Sequence, residues 1–134
     1  MSRARDLLRV FLVFTLGGMW SLAAWVAPTL FLAQPNRALA GLLAGHMFRI
    51  ETYLCIAVAL FALALPGRAR FHWLYLAAAL LSVNEWVLRP RMEAARLHHL
   101  AYGLTFGAWH GIAAIVYASA CAAGLLLVWN DDLR

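Results

Sequence analysis

The chain has 134 residues, of which 65% are hydrophobic and only 13% charged. Soluble domains are nearer a quarter charged, and a soluble core of this size has no room for so much apolar surface. The net charge of +5 rests on 11 basic residues, every one an arginine and none clustered. That pattern suits anionic lipid headgroups and excludes a nucleic-acid groove.

Four apolar segments follow in chain order, at roughly 7–32, 38–65, 71–89 and 104–129. Each has the ~20 residues that cross a ~30 Å hydrocarbon layer as a helix, and a lone strand would leave its backbone unpaired in lipid. The expected fold class is therefore all-α: a four-transmembrane-helix bundle, up-down-up-down, forming one integral membrane domain over 1–134.

Arg3, Arg5 and Arg9 precede the first segment like the n-region of a signal peptide, and SLA (21–23) resembles a cleavage site. The apolar run continues through AWVAPTLFLA, too long for such a leader, so a retained span is expected. QPNR (34–37) then makes a turn, with Asn36 placed to cap the second segment.

The second segment holds AGHMFRIETYLC (44–55), a histidine, an arginine and a glutamate inside apolar sequence. Pro66–Gly67 stops it. The third ends in SVNEWVLRPR (82–91), with Pro90 as its limit, and PRMEAARLHH (90–99) leads on to the fourth. The fourth opens with GLTFGAWHG, which sets Gly103, Gly107 and Gly111 four residues apart, with alanines at 114, 118 and 122 continuing a nearby stripe. Together with Gly41 and Gly45 in the second segment, these predict close backbone packing, within one chain or between chains. Cys55 and Cys121 fall in apolar runs and read as small buried hydrophobes. The six tryptophans suit interfacial belts or core filling.

Arginines near helix ends set orientation. With four spans, Arg3, Arg5, Arg9, Arg68, Arg70 and Arg134 share one side, against Arg37, Arg89, Arg91 and Arg96 on the other. This places both termini in the cytoplasm of a bacterial inner membrane.

The polar residues then share a level. His46, Arg49, Glu51, Asn84, Glu85, Arg89 and His110 all fall in the half of the bilayer away from the cytoplasm. Ionisable residues at such depth cost roughly 2.5–3.5 kcal/mol each on insertion scales. Arg89 and Arg91 read as interfacial anchors, yet Glu85 and Arg89, four apart, share a helix face and pair. Arg49 is expected to meet Glu85 across the bundle. Glu51 stands about 200° around from Arg49 and is expected to meet the fourth helix near His110.

No nucleophilic triad, phosphate loop or paired-cysteine zinc motif appears, and Ser21, Ser82 and Ser119 lack any activating neighbour in sequence. Soluble-type catalysis is not expected. The leading reading is binding or passage of a small polar solute, ion or proton at the Arg/Glu/His cluster. A second is a metal or haem site on His46 and His110, joined by Met47 or Glu51; imidazole with thioether suits copper, and a carboxylate admits zinc. A third is an assembly subunit of a membrane complex, or a homo-oligomer, docked through the glycine stripe.

The motifs GGMWSLAAWVAPTLF, LAGLLAGHMFRIETYL, EWVLRPRMEAAR and FGAWHGIAAIVY occur in an order that resembles a family of small bacterial membrane proteins. That family is of unknown function and is grouped with vertebrate transmembrane protein 205. Val26 to Phe31, then Ala40, Gly41, Phe48 and Arg49, then His110 and Gly111 carry the likeness. It implies four membrane helices and no established reaction. The architecture is more distantly similar to copper-resistance D proteins and to the haem-dependent membrane protoporphyrinogen oxidase. From that oxidase the chain departs in having no histidine in its first segment.

Overall fold

A greasy chain in lipid must satisfy every backbone group internally, and helix is the local solution. The computed structural model describes residues 2–130 and is helical throughout, without a strand among those residues. Four helical rods follow one another. The first, α1, covers residues 2–33 as Ser2–Ser21, a wide π turn at Leu22–Val26, and Ala27–Ala33. The second, α2, is Arg37–Leu63; α3 covers residues 72–98 and contains a second π turn at Asn84–Leu88; α4 is Phe106–Trp129.

The caps explain the breaks. Asn36 Oδ1 accepts from the Leu39 N–H at 3.1 Å and opens α2. Gly67, at φ +80, turns the chain after α2 in a conformation that favours glycine. A short 3₁₀ turn at Arg68–Phe71 then leads into α3. Thr105 Oγ1 accepts from the Ala108 N–H at 3.3 Å, so α4 starts at Phe106 rather than 104.

The largest departure from the sequence reading is at Pro90. That proline was expected to end the third helix near residue 89; instead α3 runs through it to His98. A proline inside a helix lacks an N–H, and its ring clashes with the carbonyl four residues back. In α3 the preceding turn widens to π geometry at Asn84–Leu88, which relieves that clash. α1 does the same, with its π turn at Leu22–Val26 two residues before Pro28. The expected 90–103 connection therefore shrinks to residues 99–105, where His99, Tyr102 and Gly103 have positive φ.

Leu8, Leu12, Leu16 and Met19 form the buried stripe of α1. They meet Cys55, Val58, Ala59 and Ala62 of α2, Leu74, Ala77 and Leu81 of α3, and Tyr117, Ala120 and Leu127 of α4 in one core. A second, smaller core gathers Leu88, Ala95, Ala101, Trp109 and Ala113 near the α3–α4 loop. There Trp109 Nε1 donates to the Ala101 carbonyl at 2.8 Å, and the Arg91 guanidinium lies 5.1 Å from the Tyr102 ring and 5.2 Å from that of Trp109.

The outside is as apolar as the inside. Val10, Val13, Phe14, Leu32, Ile50, Leu60, Ile115 and Leu125 all lie on the surface. Among the described residues three helices, Arg3–Ala33, Arg37–Leu63 and Phe106–Trp129, are long and apolar enough to cross a membrane, and at most 39% of any apolar window is buried within the chain. The rest of each window faces outward. α3 is not among them because Asn84, Glu85 and Arg89 interrupt its apolar run. Arg134, counted above towards orientation, lies outside the described residues.

Candidate functional site

The charged side chains of α2 and α3 meet where the second π turn widens α3. Glu85 is the second residue of that turn and its side chain is 7% exposed. Its carboxylate takes hydrogen bonds from two arginines. Arg49 of α2 donates through Nε to Oε1 at 2.6 Å. Arg89, one helical turn beyond Glu85, donates through Nη1 to Oε2 at 2.8 Å and to Oε1 at 3.1 Å. The same Nη1 reaches the Gly45 carbonyl of α2 at 3.0 Å.

This Arg–Glu–Arg triad explains how three ionised groups sit between two apolar helices. Charge-assisted bonds of this length are roughly twice as strong as neutral ones. Without a partner, each ion removed from water would cost several kcal/mol. Two guanidinium groups on one carboxylate leave a residual charge of one positive unit. The Arg49 side chain is 40% exposed, whereas that of Arg89 is 21% exposed. The free edge of Arg49 is therefore the open end of the site.

Gly45 makes the contact geometrically possible. A Cβ there would lie 2.8 Å from Arg89 Nη2, inside contact distance. Beside the triad, Asn84 Nδ2 donates to the Ala113 carbonyl at 3.2 Å and ties α3 to α4. Arg49, Glu85 and Arg89 thus form one hydrogen-bonded unit that also engages the Gly45 backbone, while Asn84 makes a separate tie to α4.

Glu51, His46 and His110 stand apart from that unit. Glu51 is buried and turned to α1, where Gly18 leaves it space: a Cβ at Gly18 would come 2.6 Å from Glu51 Oε2. The meeting of Glu51 with His110 expected from depth and phase does not form: on α4 the groups near Glu51 are Tyr117 and Cys121, about two to three turns further along. His110 is exposed and stacks on Phe106 of its own helix at 5.9 Å. His46 is exposed as well. Among the described residues, no three His, Cys, Asp or Glu side chains gather as a metal site.

The glycines divide in the same way. Gly45 packs against Arg89, and a Cβ at Gly41 would lie 3.9 Å from Phe31 Cζ, an ordinary contact. Gly103 lies in the α3–α4 loop at φ +76 rather than on a helix. Gly107 and Gly111 face outward on α4, as do Ala114, Ala118 and Ala122. Close contact inside the chain instead uses Gly18 and Gly124; a Cβ at Gly124 would fall 2.6 Å from Leu16 Cδ2. Sequence reasoning missed both, although the Gly17–Gly18 pair in an otherwise bulky helix was a usable signal. It also missed the Met19 carbonyl, which accepts from the Tyr117 hydroxyl at 3.0 Å and lies 4.0 Å from Cys121 Sγ.

Comparison with known proteins gives a family model described as a domain of unknown function, DUF4149, matching residues 10–99. That span takes in α1 from residue 10, all of α2 and all of α3, and so includes the whole triad; α4 lies beyond it. No curated protein and no solved structure matches the chain.

Proposed function

The chain belongs to the DUF4149 family, a domain of unknown function, and from that premise we propose that it is an integral membrane protein that binds a small anion at the Arg49–Glu85–Arg89 triad. The observation that carries this reading is the imbalance of charge: two guanidinium groups share one carboxylate, and the outer arginine keeps a free, partly exposed edge. An excess cation in low-dielectric surroundings attracts an anion far more strongly than the same group would in water.

In this reading all four helices cross a bacterial inner membrane, up-down-up-down, with both termini cytoplasmic. α3 crosses despite its charges because Glu85 and Arg89 pair with each other and bond to α2 rather than being offered to lipid. The triad then lies in the non-cytoplasmic half, open to a solute arriving from that side. The likeness to the transmembrane protein 205 group adds the expectation of four spans, and rests on the sequence motifs alone.

The test is thermal unfolding of the detergent-purified chain with chloride, phosphate or acetate at constant ionic strength. An anion that binds the folded state raises the midpoint by mass action. We expect at least one of the three to do so, and Arg49→Gln to lose the shift. Equal behaviour of all three anions in wild type and Arg49→Gln sinks the reading.

A second reading has its own observation. Gly107, Gly111, Ala114, Ala118 and Ala122 form an outward face of small residues on α4. In lipid, such a face lets another helix approach closely. It supports assembly with a second copy or another membrane protein, and native mass measurement in mild detergent checks it, with Gly111→Leu expected to leave the smaller species.

A further inference from the structure

The triad leaves one buried ionisable side chain unused. Glu51 stands near the middle of α2, about 21 Å along it from Arg37 at 1.5 Å per residue. It is 6% exposed, and its Oε1 has no hydrogen-bond partner among the described residues. It borders a groove of about 540 Å³ between α1 and α2 that is otherwise lined by apolar and small residues, including Val13, Phe14, Gly17, Ser21 and Met47. No other lining residue carries a charge.

The groups that face Glu51 supply no counter-ion. Cys55 on its own helix, and Tyr117 and Cys121 on α4, lie within electrostatic reach. The Tyr117 hydroxyl is committed to the Met19 carbonyl, and Cys121 Sγ points to that same oxygen. α1 contributes Gly17, Gly18 and Ser21, none of them ionisable. Arg49 is engaged on the other side of α2 with Glu85.

We propose that Glu51 is a proton-binding site, separate from the triad and open to the surrounding lipid through the α1–α2 groove. A bare carboxylate in such surroundings carries a large desolvation cost, and a cation or a donor normally offsets it. Among the described residues neither is bonded to Glu51, and a bound proton removes the charge. Gly18 leaves the carboxyl group room at the groove floor, so a lipid-soluble reagent can reach the acid from the groove without opening the core.

The experiment uses a hydrophobic carbodiimide, dicyclohexylcarbodiimide, on the full-length chain in lipid vesicles, read residue by residue by mass spectrometry. The carboxyl oxygen adds to the central carbon of the reagent and the acid proton moves to one nitrogen. The O-acylisourea so formed rearranges to a stable N-acylurea, and nothing leaves. We expect label on Glu51 at neutral pH, fading as the medium is made alkaline and unaffected by sodium chloride. The exposed carboxylates Asp6 and Glu93 serve as unlabelled internal controls. Glu51→Gln should lose the label and Glu85→Gln keep it, which separates this site from the anion site. Gly18→Leu, which fills the space above the carboxyl group, should slow labelling. An unlabelled Glu51 in folded protein overturns the proposal, as does labelling that ignores pH. Protection by sodium also overturns it, because it assigns the site to an alkali cation.

Discussion

The two π turns make the most instructive comparison in this molecule. Leu22–Val26 in α1 and Asn84–Leu88 in α3 each end two residues before a proline, at Pro28 and Pro90. The backbone device is the same, and the side chains on it are opposite in kind. At the second position of the turn α1 has Ala23, exposed on the apolar surface, and α3 has Glu85, buried between two arginines. At the first, Leu22 packs in α1, where Asn84 bonds to α4 in α3. A widened turn is thus an accommodation of proline in both helices, and becomes a site only where polar residues occupy it.

The hardest blow to that contrast is Glu85→Ala. It leaves two arginines facing each other without their shared carboxylate, and breaking a buried pair in this way costs about 3–5 kcal/mol. Unfolding of the chain in mixed micelles titrated with sodium dodecyl sulfate measures the loss, and added acetate or formate should restore part of it by standing in for the missing carboxylate. A loss below about 1 kcal/mol would mean that the triad is incidental, since that is the range of an exposed pair.

A smaller effect is expected at the glycine beneath it. Gly45→Ala puts a methyl group against Arg89 Nη2, so the guanidinium must give up part of its bonding to Glu85 and the Gly45 carbonyl; set against the gain in helix propensity, the net cost should be about 1 kcal/mol. Gly111→Ala, where nothing lies within 4 Å, should instead stabilise α4 by up to about 1 kcal/mol through helix propensity. Opposite signs in the same unfolding assay sharpen the distinction between inward and outward glycines; equal signs remove it.

Next comes Asn84→Leu, which gives up one interhelical hydrogen bond to Ala113, worth about 0.6 kcal/mol in a membrane bundle. Last is Ala23→Leu on the silent turn, expected to change stability by no more than about 0.5 kcal/mol. If Ala23→Leu proved as damaging as Glu85→Ala, the two turns would not differ as described.

Much of this architecture is legible in the sequence because lipid imposes a simple code. Long apolar runs become helices, and Asn36 and Pro66–Gly67 mark the break points by ordinary turn chemistry. The sequence also sets Arg49 and Glu85 at similar depth on neighbouring helices, and in the structure they touch. Helix phase within α3 was harder. Pro90 reads as a terminus under soluble rules, whereas here it is absorbed by a wider turn that no hydropathy pattern announces. That extra width also sets which face Glu85 and Arg89 present to α2. Glu51 lies near α4 as its phase implies, but beside Tyr117 and Cys121 rather than His110, because depth counted along separate helices is too coarse to pick the turn it meets. The small-residue contacts at Gly18 and Gly124 were obscured because each accommodates one particular neighbour, Glu51 or Leu16, rather than forming a repeated motif.

The Arg91 guanidinium between Tyr102 and Trp109 has a mechanical consequence. It fastens the charged tail of α3 to the start of α4, and in the proposed arrangement that fastening rides at the lipid–water boundary. Bilayers of different thickness are met by tilt and by adjustment at helix ends. With one rim pinned, a thicker or thinner bilayer is accommodated at the opposite rim. The distance from the boundary down to Arg49 and Glu85 then stays constant from one membrane to the next.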